Sequence, residues 1–392
     1  MNGRESKEFT MKEEYKNLIY LDHNATTPLD PKVIETMLQY MKEEFGNPSS
    51  VYELGLRARQ GVEKARQEVA FLLGSKKNEV IFTSGGSESN NMALKGLIDF
   101  KRPEKYHIIT SAIEHPAILN PALYLMELGV DVTFLPVDEK GRVNPDDVRG
   151  AIGPKTVLIT IMLANNETGT IQPIQEISKI ARESDILFHT DAAQAVGKIP
   201  VDVHSLGVDL LSVAGHKLCG PKGIGALFIR EGLSIHPLIH GAGQEMGKRA
   251  GTENVILSTG LGAACSVAND RLRDSVERIR ELRDMMEEML FEGIEGLVLN
   301  GHPRERLPNT LNISVPGIDG SKILEGLPNL AASTGAACHD RSVKLSYVLS
   351  AMSVPPEVGM GTLRLSLGRS NHSVQIAEAA EQIITRVREL RG

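Results

Sequence analysis

Tryptophan is absent from this chain of 392 residues, and cysteine is scarce: only Cys219, Cys265 and Cys338 occur. Three is an odd number and no Cys-x-x-Cys spacing is present, which excludes a disulfide framework and leaves no structural zinc pattern; a reducing compartment, the cytoplasm, fits best. Long apolar runs are also missing. The longest, near VLITIMLA, falls far short of the roughly 20 residues a membrane helix needs. There is no excess of positive charge either. The formal net charge is -7 with a sequence pI near 5.9, and Lys and Arg form no basic stripe, so nucleic acid is excluded as a partner. The opening MNGRESKEFTMKEEYKN has no apolar centre, reads as neither signal nor transit peptide, and is expected to be a flexible tail over residues 1–17. No internal repeat or low-complexity tract is visible.

What is there is an ordinary globular composition, 41% hydrophobic and 24% charged with 37 Gly, in a chain long enough for two domains. Between about residues 75 and 230 short apolar runs recur: EVIFTS, YHIITSA, VDVTFLPV, TVLITIMLA, DILFHTD, VDLLSVA and GIGALFIR. Helix-length segments such as SESNNMALKGLIDF and PIQEISKIARES separate several of them. Continuous apolar strands alternating with amphipathic helices imply an α/β fold with a mostly parallel sheet covered on both faces. Later, a long charged amphipathic helix, SVANDRLRDSVERIRELRDMMEEML, precedes the short strands LNISV and TLRLSL and a closing helix. The expected division is a large domain over 18–264 and a smaller α+β domain over 265–392, with the N-terminal segment packing on the latter.

In open parallel sheets ligands sit beyond the carboxyl ends of the strands. There EVIFTSGGSESNN passes from strand to helix through glycines, so that Gly86 and Ser87 offer amides to a phosphate; Ser87 also suits a plain helix cap. Asp191 follows the strand of DILFHTD, where a carboxylate either bonds turn amides or faces a ligand. His216 and Lys217 end the strand of VDLLSVAGHK. A lysine held in the interior is pushed toward the free amine that attacks an aldehyde, although taken alone Lys217 suits a solvated loop. Together a phosphate cradle, a carboxylate and an amine are the three anchors that pyridoxal 5'-phosphate requires.

The motifs LDHNATTPLD, FTSGGSESNN, NNETG, HTDAAQ, GHKLCGPKGIGAL and KRAGTEN, in that order, closely resemble those of the cysteine desulfurases and selenocysteine lyases. These are pyridoxal phosphate enzymes with the aspartate aminotransferase type of fold (fold type I), and the likeness runs from about Leu21 to the C-terminus. The resemblance implies Lys217 as the lysine that takes the cofactor aldehyde, Asp191 as partner of the pyridine nitrogen, and His115 over the ring, where it shuttles protons. It implies Asn166 and Gln194 at the ring hydroxyl, and Gly86, Ser87 and His216 at the phosphate. Thr252 is implied to reach the phosphate of the partner subunit in a homodimer, and Arg364, with Asn166, to hold the substrate, its planar two-pronged donor set suiting a carboxylate.

The tetrapeptide GAAC occurs twice. Cys265 runs into the long helix and reads as a small buried hydrophobe, and Cys219 also reads as a packing residue. Cys338, in STGAACHDRSVK, is followed by a polar stretch and is expected on a mobile loop. That position matches the family's catalytic cysteine, and the length up to Ser346 and Tyr347 resembles the long-loop desulfurases. Adjacent Cys338 and His339 lack further spaced metal ligands. The resemblance therefore implies Cys338 as a persulfide carrier: Lys217 removes the Cα proton of L-cysteine, Cys338 attacks the substrate sulfur, L-alanine leaves, and a scaffold or acceptor protein takes the sulfur for iron-sulfur clusters or other sulfur compounds.

Two departures bear on substrate. Ala214 stands three residues before Lys217, where desulfurases commonly carry a phosphate-binding Ser, and TGAACHD is nearer to the selenocysteine lyase version of the loop. A selenol ionises more readily than a thiol, so a selenocysteine enzyme would lean less on Cys338. L-cysteine is taken as substrate and L-selenocysteine as the alternative. A non-catalytic scaffold that binds pyridoxal phosphate is the third reading.

Overall fold

The computed structural model describes residues 17–334 and 345–392. The expected tail, apart from residue 17, lies outside these residues, as does Cys338. The first strand, β1 (Ile19–Tyr20), is followed by seven strands that build one sheet: β2 (Val80–Thr83), β3 (His107–Ser111), β4 (Asp131–Leu135), β5 (Thr156–Thr160), β6 (Leu187–Asp191), β7 (Leu210–Ala214) and β8 (Gly225–Ile229). All seven arise from the seven apolar runs. Their order is β2-β8-β7-β6-β5-β3-β4, with β8 antiparallel to both neighbours and the other pairings parallel.

The runs are continuous rather than alternating because both faces of this sheet are covered. Along β7, Leu211 and Val213 enter one apolar core, with Phe188 and Phe228, while Leu210 enters the core on the other face, with Ile81, Ile108 and Leu158. Every residue of β2, β7 and β8 is buried. Side chains of this size each contribute about 1.5–3 kcal/mol on burial. The carboxyl ends of the parallel strands consequently share one edge.

A third core lies apart from the sheet. Strands β9 (Val298–Leu299), β10 (Thr310–Ser314) and β12 (Thr362–Ser366) form an antiparallel sheet in the order β12-β10-β9, and β11 (Leu330–Ala331) pairs in parallel with β1. Leu311, Ile313, Leu363 and Leu365 pack there against Ile376 and Ile383 of the closing helix Ser373–Arg391, together with Ile19 and Leu21 of the N-terminal segment. The helix Val255–Gly293 is 39 residues long and serves both regions: Leu261, Ala264, Cys265 and Ala268 enter the sheet's core, and Ile279, Leu282, Met286 and Leu290 enter the third. The boundary expected at residue 265 falls inside this helix. Among the described residues no helix is long and apolar enough to cross a membrane.

Candidate active site

At the shared strand edge lies a cleft of about 860 Å³. Asp191, Gln194, Asn166, His115, Gly86, Ser87, His216, Lys217 and Arg364 all line it, nine of the eleven residues singled out in the sequence; the other two are Thr252 and the undescribed Cys338. Asn24, Ala25, Asn90 and Ala214 line it too.

One end of the cleft is an anion cradle. β2 ends at Thr83, the chain turns through Gly85 at φ 150° and ψ -180°, and the helix Gly86–Lys95 begins. Its first-turn amides have no intrahelical acceptors and sit at the positive end of the helix dipole. The turn is built for close approach: a Cβ on Gly225 would lie 2.7 Å from the Gly85 backbone, and one on Gly86 would lie 3.3 Å from the Ala214 methyl. Ala214 therefore faces the cradle with a methyl group. His216 adds a ring whose pKa is lowered to about 4, by burial first and then by Lys217 and its other cationic neighbours. At neutral pH it is an uncharged imidazole able to donate one N–H.

Elsewhere on the wall Asp191 closes β6. Its Oδ2 accepts from Asn90 Nδ2 at 2.7 Å and its Oδ1 from the Ala193 amide at 2.9 Å, which fixes the carboxylate at the cleft wall. His115 caps the helix Pro116–Glu127, its Nδ1 accepting from the Ala117 amide at 3.1 Å, which leaves its other ring nitrogen, as far as the described residues go, for a ligand. Desolvation by the surrounding protein lowers its pKa, Lys217 adds to this, and Asp191 opposes it.

Lys217 sits in the short turn Gly215–Lys217 after β7. Thr27 clamps that turn, its amide and hydroxyl donating to His216 O and its hydroxyl accepting from the Cys219 amide. The Lys217 amine rests on two carbonyls, Asn24 O at 2.6 Å and Ala25 O at 2.7 Å. Its pKa is lowered to about 8, by burial and then by Arg364, against Asp191 and Asp22, which raise it. Arg364, on β12, is buried; its Nη2 pairs with Asp22 Oδ1 at 2.8 Å, its Nη1 donates to Asn166 O at 3.2 Å, and its Nε is buried with no partner among the described residues.

The residues fit pyridoxal 5'-phosphate. Asn166 Oδ1 and Asn90 Oδ1 are buried at this wall with no partner among the described residues, a costly arrangement unless a ligand supplies one. The cradle, the fixed carboxylate and the softened amine are the donor set that its phosphate, ring nitrogen and aldehyde demand.

Sequence reasoning missed Asn24, Asp22 and Asn90, although all three lie within the quoted motifs. Thr252 is exposed and does not line the cleft of its own chain. Its segment is anchored on β2 by a two-pronged pair between Arg66 and Glu245, at 2.6 and 2.9 Å, with Glu245 also accepting from the Phe82 amide. Cys265 is buried, and burial pushes its thiol up; Cys219 is half-buried beside the Lys217 turn.

A family model described as aminotransferase class-V matches residues 19–378. Cysteine desulfurase IscS of Dictyoglomus turgidum is 51% identical over 355 residues, 90% of each chain. Cysteine desulfurase IscS of Methanosarcina thermophila is 48% identical over 376 residues, 95% of this chain and 93% of the relative. Among solved structures, a NifS-like protein superposes with a TM-score of 0.89 at 36% identity, covering 95% of this chain and 99% of its own. SspA in complex with cysteine gives a TM-score of 0.78 at 37% identity over 89% and 98%.

Proposed function

This chain belongs to the class-V aminotransferase family and takes pyridoxal 5'-phosphate as cofactor, and from that premise we propose that it removes the sulfur of L-cysteine, releasing L-alanine and keeping the sulfur as a persulfide on Cys338. The observation that carries the reading is the Lys217 amine, softened to about 8, in one cleft with Asp191, the anion cradle and Arg364. The desulfurase relatives agree with it.

Bound in the cleft, pyridoxal phosphate supplies an aldehyde that links to amines and a ring that accepts electron density from the substrate Cα. Gly86, Ser87 and His216 hold its phosphate, and Asp191 holds a proton at the ring nitrogen. Arg364 takes the substrate carboxylate through donors already desolvated and oriented. With its amine free, Lys217 would take the Cα proton of the substrate, a task suited to a base with a pKa near working pH. His115 holds or passes a proton at the same wall.

The thiolate of Cys338 then attacks the substrate sulfur. An S–S bond forms as the Cβ–S bond breaks, and Cβ gains a proton and becomes the methyl group of alanine. Of the two thiol protons present at the start, one remains on the persulfide and one is accounted for in the new methyl, so no external oxidant or reductant is consumed. Thiolate is the minor form of an ordinary cysteine at pH 7, which gives His115 and the cationic cleft a role in deprotonation.

The sulfur passes to an acceptor or scaffold protein. The working unit is a homodimer in which Thr252, exposed in its own chain, reaches the partner's phosphate, and the compartment is the cytoplasm, where thiols stay reduced. Alanine release from L-cysteine and from L-selenocysteine, by the parent, Lys217→Ala and Cys338→Ala, tests the reading. Loss of cysteine activity in both variants is expected. A parent that ignores cysteine, with Cys338→Ala fully active on selenocysteine, would replace it with a selenocysteine lyase.

A further inference from the structure

Lys198 does not line the cofactor cleft. It lines an adjoining, largely apolar cavity with His23, Leu218, Ile279 and Leu367, of which Lys217 is also a wall, and lies four residues beyond Gln194 in the sequence. Its amine reaches from that side to the back of the cleft wall, donating to Gln194 Oε1 at 2.7 Å and to Asn24 Oδ1 at 3.0 Å. Gln194 Nε2 in turn donates to Asn24 O at 2.9 Å, the carbonyl on which Lys217 also rests.

This pattern fixes which way the Gln194 amide points. A backbone carbonyl only accepts, so the atom facing Asn24 O is the amide nitrogen, and the oxygen is the atom facing Lys198. One hydrogen of Nε2 is spent on Asn24 O; the second is left for the cleft that Gln194 lines. Among the described residues Lys198 is the partner of Gln194 Oε1. Without it that buried oxygen gains by turning toward the cleft and exposing an acceptor there.

We propose that Lys198 is a positioning residue for the cofactor: by holding Gln194 Oε1 it keeps an N–H, and not a carbonyl, turned toward the ring oxygen of bound pyridoxal phosphate. The inference rests on the functional reading above. Asn24 joins the two lysines, since its carbonyl holds Lys217 and its side-chain oxygen holds Lys198 and also accepts from Asn309 Nδ2 at 3.1 Å. Desolvation, with the nearby Lys217 amine, pushes the Lys198 amine well below its usual range. Protonated or neutral, it retains the two hydrogens that these two acceptors need.

The test uses the full-length chain stripped of cofactor and titrated with pyridoxal phosphate, as parent, Lys198→Met, Gln194→Ala and the double variant. Dissociation constant and the ratio of visible to near-ultraviolet bands of the bound cofactor are read at one pH. Lys198→Met is expected to weaken binding about tenfold and to change the band ratio in the same direction as Gln194→Ala. The double variant should bind within about twofold of Gln194→Ala, because a residue acting through Gln194 has nothing left to act on. Lys198→Met within twofold of the parent in both readouts, or effects that multiply in the double variant, would overturn the proposal. Should Lys198→Met not fold, Lys198→Arg, which keeps a donor in place, is read instead: a parent-like ratio is expected, and one like that of Gln194→Ala overturns it. A parent that takes up no cofactor overturns the functional reading and this one with it; a yellow parent with an unchanged variant overturns this one alone.

Discussion

Arg364 lines the cleft and its Nη2 lies 2.8 Å from Asp22 Oδ1, so the guanidinium proposed for the substrate carboxylate already has a counter-ion. Asp22 also raises the Lys217 amine. Replacing Asp22 by Asn should therefore lower the KM for L-cysteine about threefold to tenfold and move the Lys217 midpoint downward. A KM raised more than tenfold would show that Asp22 orients Arg364 and does not compete with substrate. Arg364→Lys, which keeps the charge but not the planar fork, should cost about a hundredfold in kcat/KM, most of it in KM.

If Lys217 takes the cofactor aldehyde as proposed, its softened amine should set the pH range of cofactor capture. With a pKa of about 8, about a tenth of Lys217 is free amine at pH 7, against about one part in three thousand for an ordinary lysine. Free amine rises with pH, so the rate at which cofactor-free protein takes up pyridoxal phosphate should climb toward a plateau above pH 8. A midpoint above about 9.5, measured by stopped-flow absorbance, would contradict the burial argument.

Glu114 is wholly buried beside His115 and is raised to about 8 by desolvation, its carboxyl accepting from Ser111 Oγ and the Met162 amide. Its folded pKa exceeds its unfolded one, so its stabilising effect is full below about pH 4.5 and is lost as pH rises through about 8. Glu114→Gln should abolish that loss. In denaturant titrations the variant, relative to the parent, should gain about 2 kcal/mol or more between pH 5.5 and 8.5; equal slopes would place the carboxyl outside that range.

Ala214 presents a methyl to the anion cradle, 3.3 Å from where a Cβ of Gly86 would lie. Ala214→Ser adds a donor beside an anion, which is worth about 1.5–3 kcal/mol when geometry allows. Cofactor affinity should rise about tenfold by fluorescence titration. No gain would mean that the hydroxyl cannot turn toward the cradle.

Native alkylation should spare Cys265, which is fully buried with its thiol pushed up. Its modification by iodoacetamide, followed by peptide mass analysis, should be at least tenfold slower than in denaturant. Comparable rates would place it outside the core.

The sheet was legible because double-sided burial writes itself into sequence as unbroken apolar runs, and the cleft was legible because its charged residues stand at the ends of those runs. Asp191 is the last residue of its strand, and Lys217 ends the three-residue turn that follows its own. The helix Pro31–Lys42 went unread, although Asp30, the last residue of the quoted LDHNATTPLD, accepts from the Lys32 amide and Pro31 opens the first turn. The network around Asn24 left little trace, since it joins positions 24, 166, 194, 198, 217, 310 and 366 through tertiary contacts that no local spacing records. For Lys198 the single sequence mark is its four-residue offset from Gln194. The long helix was read from its amphipathic half alone, because its first turns are apolar on several sides where they enter the sheet's core.

That helix also limits how the protein can be divided. Between Ala268 and Ile279 it buries no residue, while on either side it supplies a different core. Anyone wishing to split the enzyme into two complementing fragments, or to graft a reporter into it, would do best at this exposed middle stretch; a cut at residue 265 would tear apolar side chains out of the sheet's packing and leave both pieces prone to clump.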